Sequence, residues 1–349
     1  MSERPPGETV AAALTRSLAE RGIGHAFGIP GDYVLGLCAA MEAGPLHLIV
    51  TADEQGAGFA ADAYARVRGL GAVVVTYGVG GLKVVNTTAQ AYAERSPVVV
   101  VSGAPGVSEQ LGDPLLHHKV RSFATQLNVF RELTCAQALL DDPSRARAEI
   151  DRVLDAAREH SRPVYIELPR DVAEAPAGDA PIRVDPAPAA DPAALAAAVE
   201  EIAAMLDAAE RPVVLIGEEV RRFALQDTAR EIVERANVPF ATTLLGKSAI
   251  GEGHPRYMGV YAGAMSEEPV RARVDGADVL LVLGAPLSDT ATGIFTAVIE
   301  PRRRISVATD ATGVRHHAYL GLPIVSVLRE LAAPGRLRRH ADADHPVPA

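Results

Sequence analysis

The stretch "LLHHKV" sets His117 and His118 side by side in a chain that holds ten histidines. Imidazoles titrate near neutrality and also bind transition metals. The pair therefore reads as metal ligands, as a proton-transfer station, or as two solvated surface residues. Two carboxylates stand at comparable places. Asp32 follows Pro30 in "FGIPGDYVLGL", and Glu54 follows Asp53 in "VTADEQGAGFAADAYARVRG". Taken alone, Asp32 reads as a helix N-cap. Glu54 is either the solvated first-turn residue of a helix capped by Asp53 or a carboxyl group held at a ligand-binding edge. In "TYGVGGL", Tyr77 precedes Gly78, Gly80 and Gly81, whose missing side chains let backbone approach a bound group or close a tight turn. That spacing is not G-x-G-x-x-G, and no ribose-binding acid follows at the usual offset, so a dinucleotide site is set aside.

The elements that must position these residues are legible as two alternating patterns. "HLIVTA" from His47, "GAVVVTY" from Gly71, "PVVVVSG" from Pro97 and "PVYIEL" from Pro163 are short β-branched runs. Glu54–Arg68, Leu82–Glu94 and Arg145–Glu159 carry helical spacing. Uninterrupted apolar strands between helices predict an α/β fold with a parallel sheet. Residues 173–192, "AEAPAGDAPIRVDPAPAADP", have no period and read as a proline-stiffened connection. The alternation then resumes with a helix from Pro192, "PVVLIG", a helix through Leu225–Ala236, "VPFATTLL", "ADVLLVLG" and "RISVATD". The reading is two open parallel-sheet α/β domains, at 1–180 and 193–338, joined by a linker at 181–192 and followed by a frayed tail at 339–349.

Composition excludes several function classes. A net charge of −10 disfavours nucleic acid and anionic membrane as partners. No apolar run approaches the ~18 residues of a membrane span. "MSERPPGET" lacks the apolar core of a signal peptide. Cys38 and Cys135 sit in apolar surroundings and read as reduced core residues, which together predict a cytoplasmic protein.

The four stretches occur together and in order, and with them the chain resembles the thiamine-diphosphate-dependent 2-oxo acid decarboxylases, the pyruvate and indolepyruvate decarboxylase group. "GDY", "DEQGAGFAADAYAR", "TYGVGGL", "AYAERSPVVVVSGAPG" and the paired histidines match that family's pyrimidine-binding domain, and "RPVYIELPRDV" continues it. "ATTLLGKSAIGEGHPRYMGVYAGAMS" and "LGAPLSDTATGIFT" resemble its Rossmann-like central domain. The resemblance implies that Glu54 bonds a ring nitrogen of the cofactor's aminopyrimidine and promotes the imino form that activates the thiazolium carbon. A carboxyl group held partly out of water suits that task. It implies that Asp32, His117 and His118 form the acid–base group that protonates an enamine after carbon dioxide leaves. Pro30, Tyr77 and Gly78 fall where the family packs the pyrimidine ring.

The family's third domain binds the diphosphate through Mg2+ with a Gly-Asp-Gly motif. This sequence contains GDY, GDP and GDA but no GDG. The resemblance therefore implies that the diphosphate and metal ligands lie on a separate chain, in a heterotetramer with two copies of each, and that the chain is inactive alone. A truncated or degenerate relative and a self-contained binding protein are the other accounts. Carboligation to an acyloin and a non-catalytic scaffold are the competing functions. In the second domain, Glu218 and Glu219 stand where a phosphate-binding turn would carry glycine, which predicts a structural role. His316 and His317 read as structural. Neither histidine pair has a carboxylate or cysteine partner at the spacing of a zinc site, so no metal ligand is expected in this chain.

Overall fold

The computed structural model describes residues 7–183, 190–309 and 311–341 and divides into two units, Met1–Asp185 and Pro186–Ala349. The first unit begins with α1 (Val10–Glu20), β1 (His25–Gly28), α2 (Leu35–Ala43), β2 (His47–Val50), α3 (Glu54–Arg68) and β3 (Gly71–Val75). It continues with α4 (Val79–Lys83), α5 (Val85–Ala93), β4 (Val98–Ala104), α6 (Thr125–Arg131), β5 (Gln137–Leu139), α7 (Ala146–His160) and β6 (Val164–Pro169). Every strand pairing in its sheet is parallel, in the order β2-β1-β3-β4-β6-β5.

The valine runs form β3 and β4 because both faces of the sheet are covered. Each residue of these two strands is buried. Period-two alternation divides them. Val74, Val99 and Val101 pack with Leu14 and Leu18 of α1, Leu37 of α2 and Leu154 of α7. Val73, Val75, Val98 and Val100 pack with Ala57, Ala61 and Ala65 of α3, Ala91 of α5 and Phe130 of α6. The helix expected over 82–94 is broken at Val84. The Val84 carbonyl accepts the Thr88 N–H and the hydroxyls of Thr87 and Thr88, at 2.9, 2.9 and 2.8 Å, which anchors the first turn of α5 at the break.

The second unit runs α8 (Pro192–Asp207), β7 (Pro212–Ile216), α9 (Glu219–Arg222), α10 (Gln226–Ala236), β8 (Phe240–Thr242) and β9 (Tyr257–Val260). Then come α11 (Glu268–Asp275), β10 (Val279–Leu283), β11 (Arg304–Val307), β12 (Ala311–Val314), β13 (His317–Leu320) and α12 (Ile324–Leu331). Its sheet is ordered β13-β12-β11-β10-β7-β8-β9. From β9 to β11 the pairing is parallel, but β11, β12 and β13 pair antiparallel. That hairpin was not legible because its turn, with Arg315 at φ 55°, carries no Asn-Gly or Gly signal. The His316–His317 pair lies at this turn, where His317 Nδ1 is 3.1 Å from the Glu201 carboxylate.

Glu219 is fully buried, and its carboxylate accepts the backbone N–H of Thr309 at 2.9 Å. An internal acid thus occupies a strand end where a nucleotide phosphate would need free donors. Of the expected linker, 184–189 lie outside the described residues, and α8 starts at Pro192 with Asp191 accepting the Ala193 N–H. Of the expected tail, 342–349 lie outside them. His340 is not frayed: it is buried, with its N–H on the Ala236 carbonyl at 2.9 Å. Among the described residues no helix is long and apolar enough to cross a membrane.

The small face of α3 makes a quantitative prediction. A methyl group at Gly58 would lie 2.1 Å from Thr87 Oγ1, so α3 and α5 touch only because Gly58 has no side chain. Gly58→Ala should cost about 1–3 kcal/mol of overpacking in urea denaturation. Adding Thr87→Ala should recover part of that loss.

Candidate active site

Because the first sheet is parallel, the carboxyl ends of β2, β1, β3 and β4 share one edge. The segments leaving those ends carry the candidate residues. Glu54 follows β2, Pro30 and Asp32 follow β1, Tyr77 and Gly78 follow β3, and His117 and His118 lie in the long connection after β4. In open α/β sheets this is the edge that receives ligands.

Asp32 does not cap α2. The N-cap position is Val34, which makes no side-chain cap bond. Asp32 instead reaches across the edge, with Oδ2 2.5 Å from His117 Nε2. On the other side of that ring, Nδ1 is 3.2 Å from the Tyr33 hydroxyl. With its proton on Nε2, His117 donates to the Asp32 carboxylate and accepts from Tyr33, which satisfies both partners. Tyr33 also stacks on the His117 ring, with centroids 4.8 Å apart at 23°. His118 meets His117 edge-on at 4.8 Å and 66°. One ligand-type atom from each of Asp32, His117 and His118 lies within 4.8 Å of the others, and all three residues are exposed. Each histidine pair thus meets a carboxylate that no zinc-site spacing in the sequence would have indicated. The partners come from 85 residues away for His117 and 116 residues away for His317, far outside any local spacing.

Buried and paired groups hold this constellation. Gly78 has φ +68°, and a methyl group there would lie 2.5 Å from the His118 carbonyl oxygen. His118 itself has φ +66°, an uncommon left-handed setting outside glycine, which a packed neighbour must maintain. Lys119 donates to Asp113 Oδ1 at 2.6 Å and to the carbonyls of Asp113 and Pro114, closing the loop before the histidines. Asp171 accepts the N–H groups of Val107 and Ser108 at 2.9 and 3.2 Å, pinning the start of the same connection to the end of β6. Arg170 pairs with Glu109 through both carboxylate oxygens and lies over the Tyr33 ring at 5.1 Å. The Arg170 hydrogen bond holds the Glu109 carboxyl below its ordinary range.

Glu54 stands apart from the trio. Asp53 caps α3 as expected, its Oδ1 accepting the Gly56 N–H at 2.7 Å. The following Glu54 is half-buried, and its Oε2 is 3.3 Å from Lys83 Nζ. Lys83 also lies 3.2 Å from Asp53 Oδ2, a bond that raises the lysine's proton affinity. Sequence reasoning missed Lys83 and Tyr33, although both lie inside or beside the motifs that flagged the site. Gly80 is packed beside the carboxyl group: a methyl group there would come 3.1 Å from Thr76 Cγ2 and 3.6 Å from Glu54 Oε1. Tyr77 is buried, packs edge-on against Tyr33 at 5.8 Å, and donates to the Phe123 carbonyl at 3.3 Å. Burial pushes its phenol up to about 12, so this segment offers the edge its backbone rather than an ionisable hydroxyl. Pro30 is exposed and lines the groove between α2 and β2 with Leu35, Cys38 and Val50.

Comparison with known proteins finds one family match inside each unit. Residues 8–128 match the thiamine pyrophosphate enzyme N-terminal TPP binding domain, and residues 199–333 match the central domain of the same enzymes. The first match contains Pro30, Asp32, Glu54, Tyr77, Gly78, His117 and His118. An indole-3-pyruvate decarboxylase of Azospirillum brasilense is 42% identical over 329 residues, covering 92% of this chain and 59% of the relative. An alpha-keto-acid decarboxylase of Mycobacterium leprae is 38% identical over 332 residues, covering 93% of this chain and 58% of the relative. That of Mycobacterium tuberculosis strain H37Rv is 38% identical over 330 residues, with 94% and 59% covered. The chain thus spans under three-fifths of the length of these relatives.

The contact between Gly78 and His118 is open to direct test. Gly78→Ala meets both a positive φ and a backbone oxygen, and should cost about 1–3 kcal/mol. It should also move the His118 ring resonances in NMR spectra of the folded variant, whereas Gly112→Ala, at a comparable φ but with nothing within 4 Å, should leave them in place.

Proposed function

Since the chain belongs to the thiamine pyrophosphate enzymes, we propose that its first unit is the pyrimidine-binding half of a site that decarboxylates a small 2-oxo acid. The observation that carries this reading is the Asp32–His117–His118 trio on the same sheet edge as the half-buried Glu54. When bound, thiamine diphosphate supplies the carbon that adds to the keto group and takes up the electrons left by carbon dioxide. Glu54 holds a proton at the pyrimidine ring nitrogen. Lys83 gives way to the ring by keeping its second partner, Asp53. The backbone at Tyr77 and Gly78, with Pro30, orients the ring. His118 and His117 move a proton to and from the reacting carbon, and Asp32 fixes the tautomer and orientation of His117.

In this reading the diphosphate and Mg2+ are held by a separate diphosphate-binding chain, consistent with the 59% of the relatives' length that these residues span. The assembly is a heterotetramer in the cytoplasm, and this chain is inactive alone. The second unit is structural, consistent with the buried Glu219 at its strand ends.

Purifying the chain alone and with a diphosphate-binding partner, then measuring carbon dioxide release from varied 2-oxo acids, tests the proposal. Release only in the mixture is expected. Silence in both states, across the substrate series, would sink the enzyme reading, and acyloin in place of aldehyde would assign carboligation. In the active complex, Glu54→Gln should abolish exchange of the thiazolium proton, while His118→Ala should slow turnover by roughly 10²–10⁴. A loss under about threefold would make His118 a bystander.

A further inference from the structure

Beneath the edge, a chain of buried polar groups runs down from Gly78. The Gly78 N–H donates to Gln126 Oε1 at 2.8 Å. Gln126 Nε2 donates to Ser102 Oγ and to the Tyr165 hydroxyl, each at 2.7 Å. Ser102 donates to the Gly103 carbonyl at 2.8 Å, and Tyr165 donates to Glu167 Oε2. Gln126, Ser102, Tyr165 and Glu167 are 2%, 0%, 0% and 4% exposed, so none has water as an alternative partner.

The direction of every bond follows from the first. A peptide N–H only donates, so Gln126 must turn its oxygen toward Gly78 and its nitrogen inward. That nitrogen carries two hydrogens, so Ser102 and Tyr165 must both accept. A hydroxyl that accepts from Gln126 sends its own hydrogen elsewhere. For Ser102 that is a carbonyl, and for Tyr165 it is the Glu167 carboxyl group. The β4–β6 register puts Ser102 beside Glu167, and Tyr165 and Glu167 share a strand face. Phe130 stacks flat on Tyr165 at 4.3 Å and 5°, locking α6 and therefore Gln126. Gly81 is side-chain-free for the same reason: a methyl group there would lie 2.3 Å from Gln126 Oε1.

We propose that Gln126, Tyr165 and Glu167 are positioning residues for the reaction, forming a one-way hydrogen-bond relay that clamps the Gly78 amide. Through that amide the relay sets the turn backing His118. This rests on the decarboxylase reading above, because the turn matters to chemistry only if His118 transfers a proton there. An apolar core would pack β4, β6 and α6 equally well, whereas a satisfied buried network selects a single arrangement. Glu167 serves as the terminal acceptor in either charge state. Burial pushes it up to about 7, and the titratable groups that face it are Tyr165 on its own strand and Tyr77 from the turn after β3.

Tyr165→Phe keeps the stack on Phe130 and with it the fold, but removes the acceptor for Gln126. In the isotope-labelled 349-residue chain, the Gly78 amide and His118 ring resonances should both shift. Glu167→Gln, whose side-chain carbonyl still accepts from Tyr165, should leave them in place. In the active complex, Tyr165→Phe should lower kcat by roughly 10–100-fold with KM little changed. Should Tyr165→Phe fail to fold, Gln126→Glu keeps an oxygen for Gly78 but has no N–H for Tyr165; it should shift the His118 ring and lower kcat in the same way. Unmoved resonances in the folded variants overturn the relay, whatever the complex does. Moved resonances, with no carbon dioxide release from the wild-type complex, would support the clamp and remove the reaction assigned to it.

Discussion

Parallel pairing of β2, β1, β3 and β4 is the constraint on which the rest of the first unit depends. Four segments with no sequence proximity leave the sheet at one edge only because all four strands run the same way. Parallel strands bury both faces, so they demand the valine runs at the centre of β3 and β4. Reversing any one of them would carry its site residue to the opposite edge. The chemistry of the site is thus a consequence of sheet topology before it is a matter of side chains.

Edge placement alone leaves the side chains about a helix diameter apart, and close packing closes the gap. Gly78 removes its side chain so that the histidine loop can lie against the turn after β3. Arg170 and Asp171 at the end of β6 grip the first half of that loop, and Lys119 grips the second. The loop is exposed yet determined, because its backbone hydrogen bonds end on fixed groups. His117 and His118 are exposed at this edge.

The two units use acids in opposite ways. Glu54 sits half-buried and is paired with Lys83, a long side chain with a second acidic partner. Glu219 in the second unit is fully buried and bonded to a backbone N–H. One carboxyl group is paired with a partly exposed lysine, and the other is held inside by a backbone donor. Both stand at the carboxyl ends of parallel strands, so architecture alone does not separate a binding edge from a structural one.

Fold class, the strand runs and the cap at Asp53 were legible in the sequence, because they depend on patterns that repeat within a few residues: apolar runs, helical period, a capping side chain. The resemblance, carried by short motifs, also named Asp32, Glu54, His117 and His118, which the sheet brings to one edge. Other features were not legible. Asp32 read locally as a cap, but a carboxylate 85 residues from its histidine can be assigned only once the sheet brings them together. The break at Val84 has no proline or glycine at that residue to announce it, and the antiparallel hairpin rests on a turn with no marker residue. Tyr33, Lys83 and Gln126 carry no local signal, since their roles are defined by partners on other elements. Short-range preferences write the elements into the chain, and long-range contacts decide which groups meet.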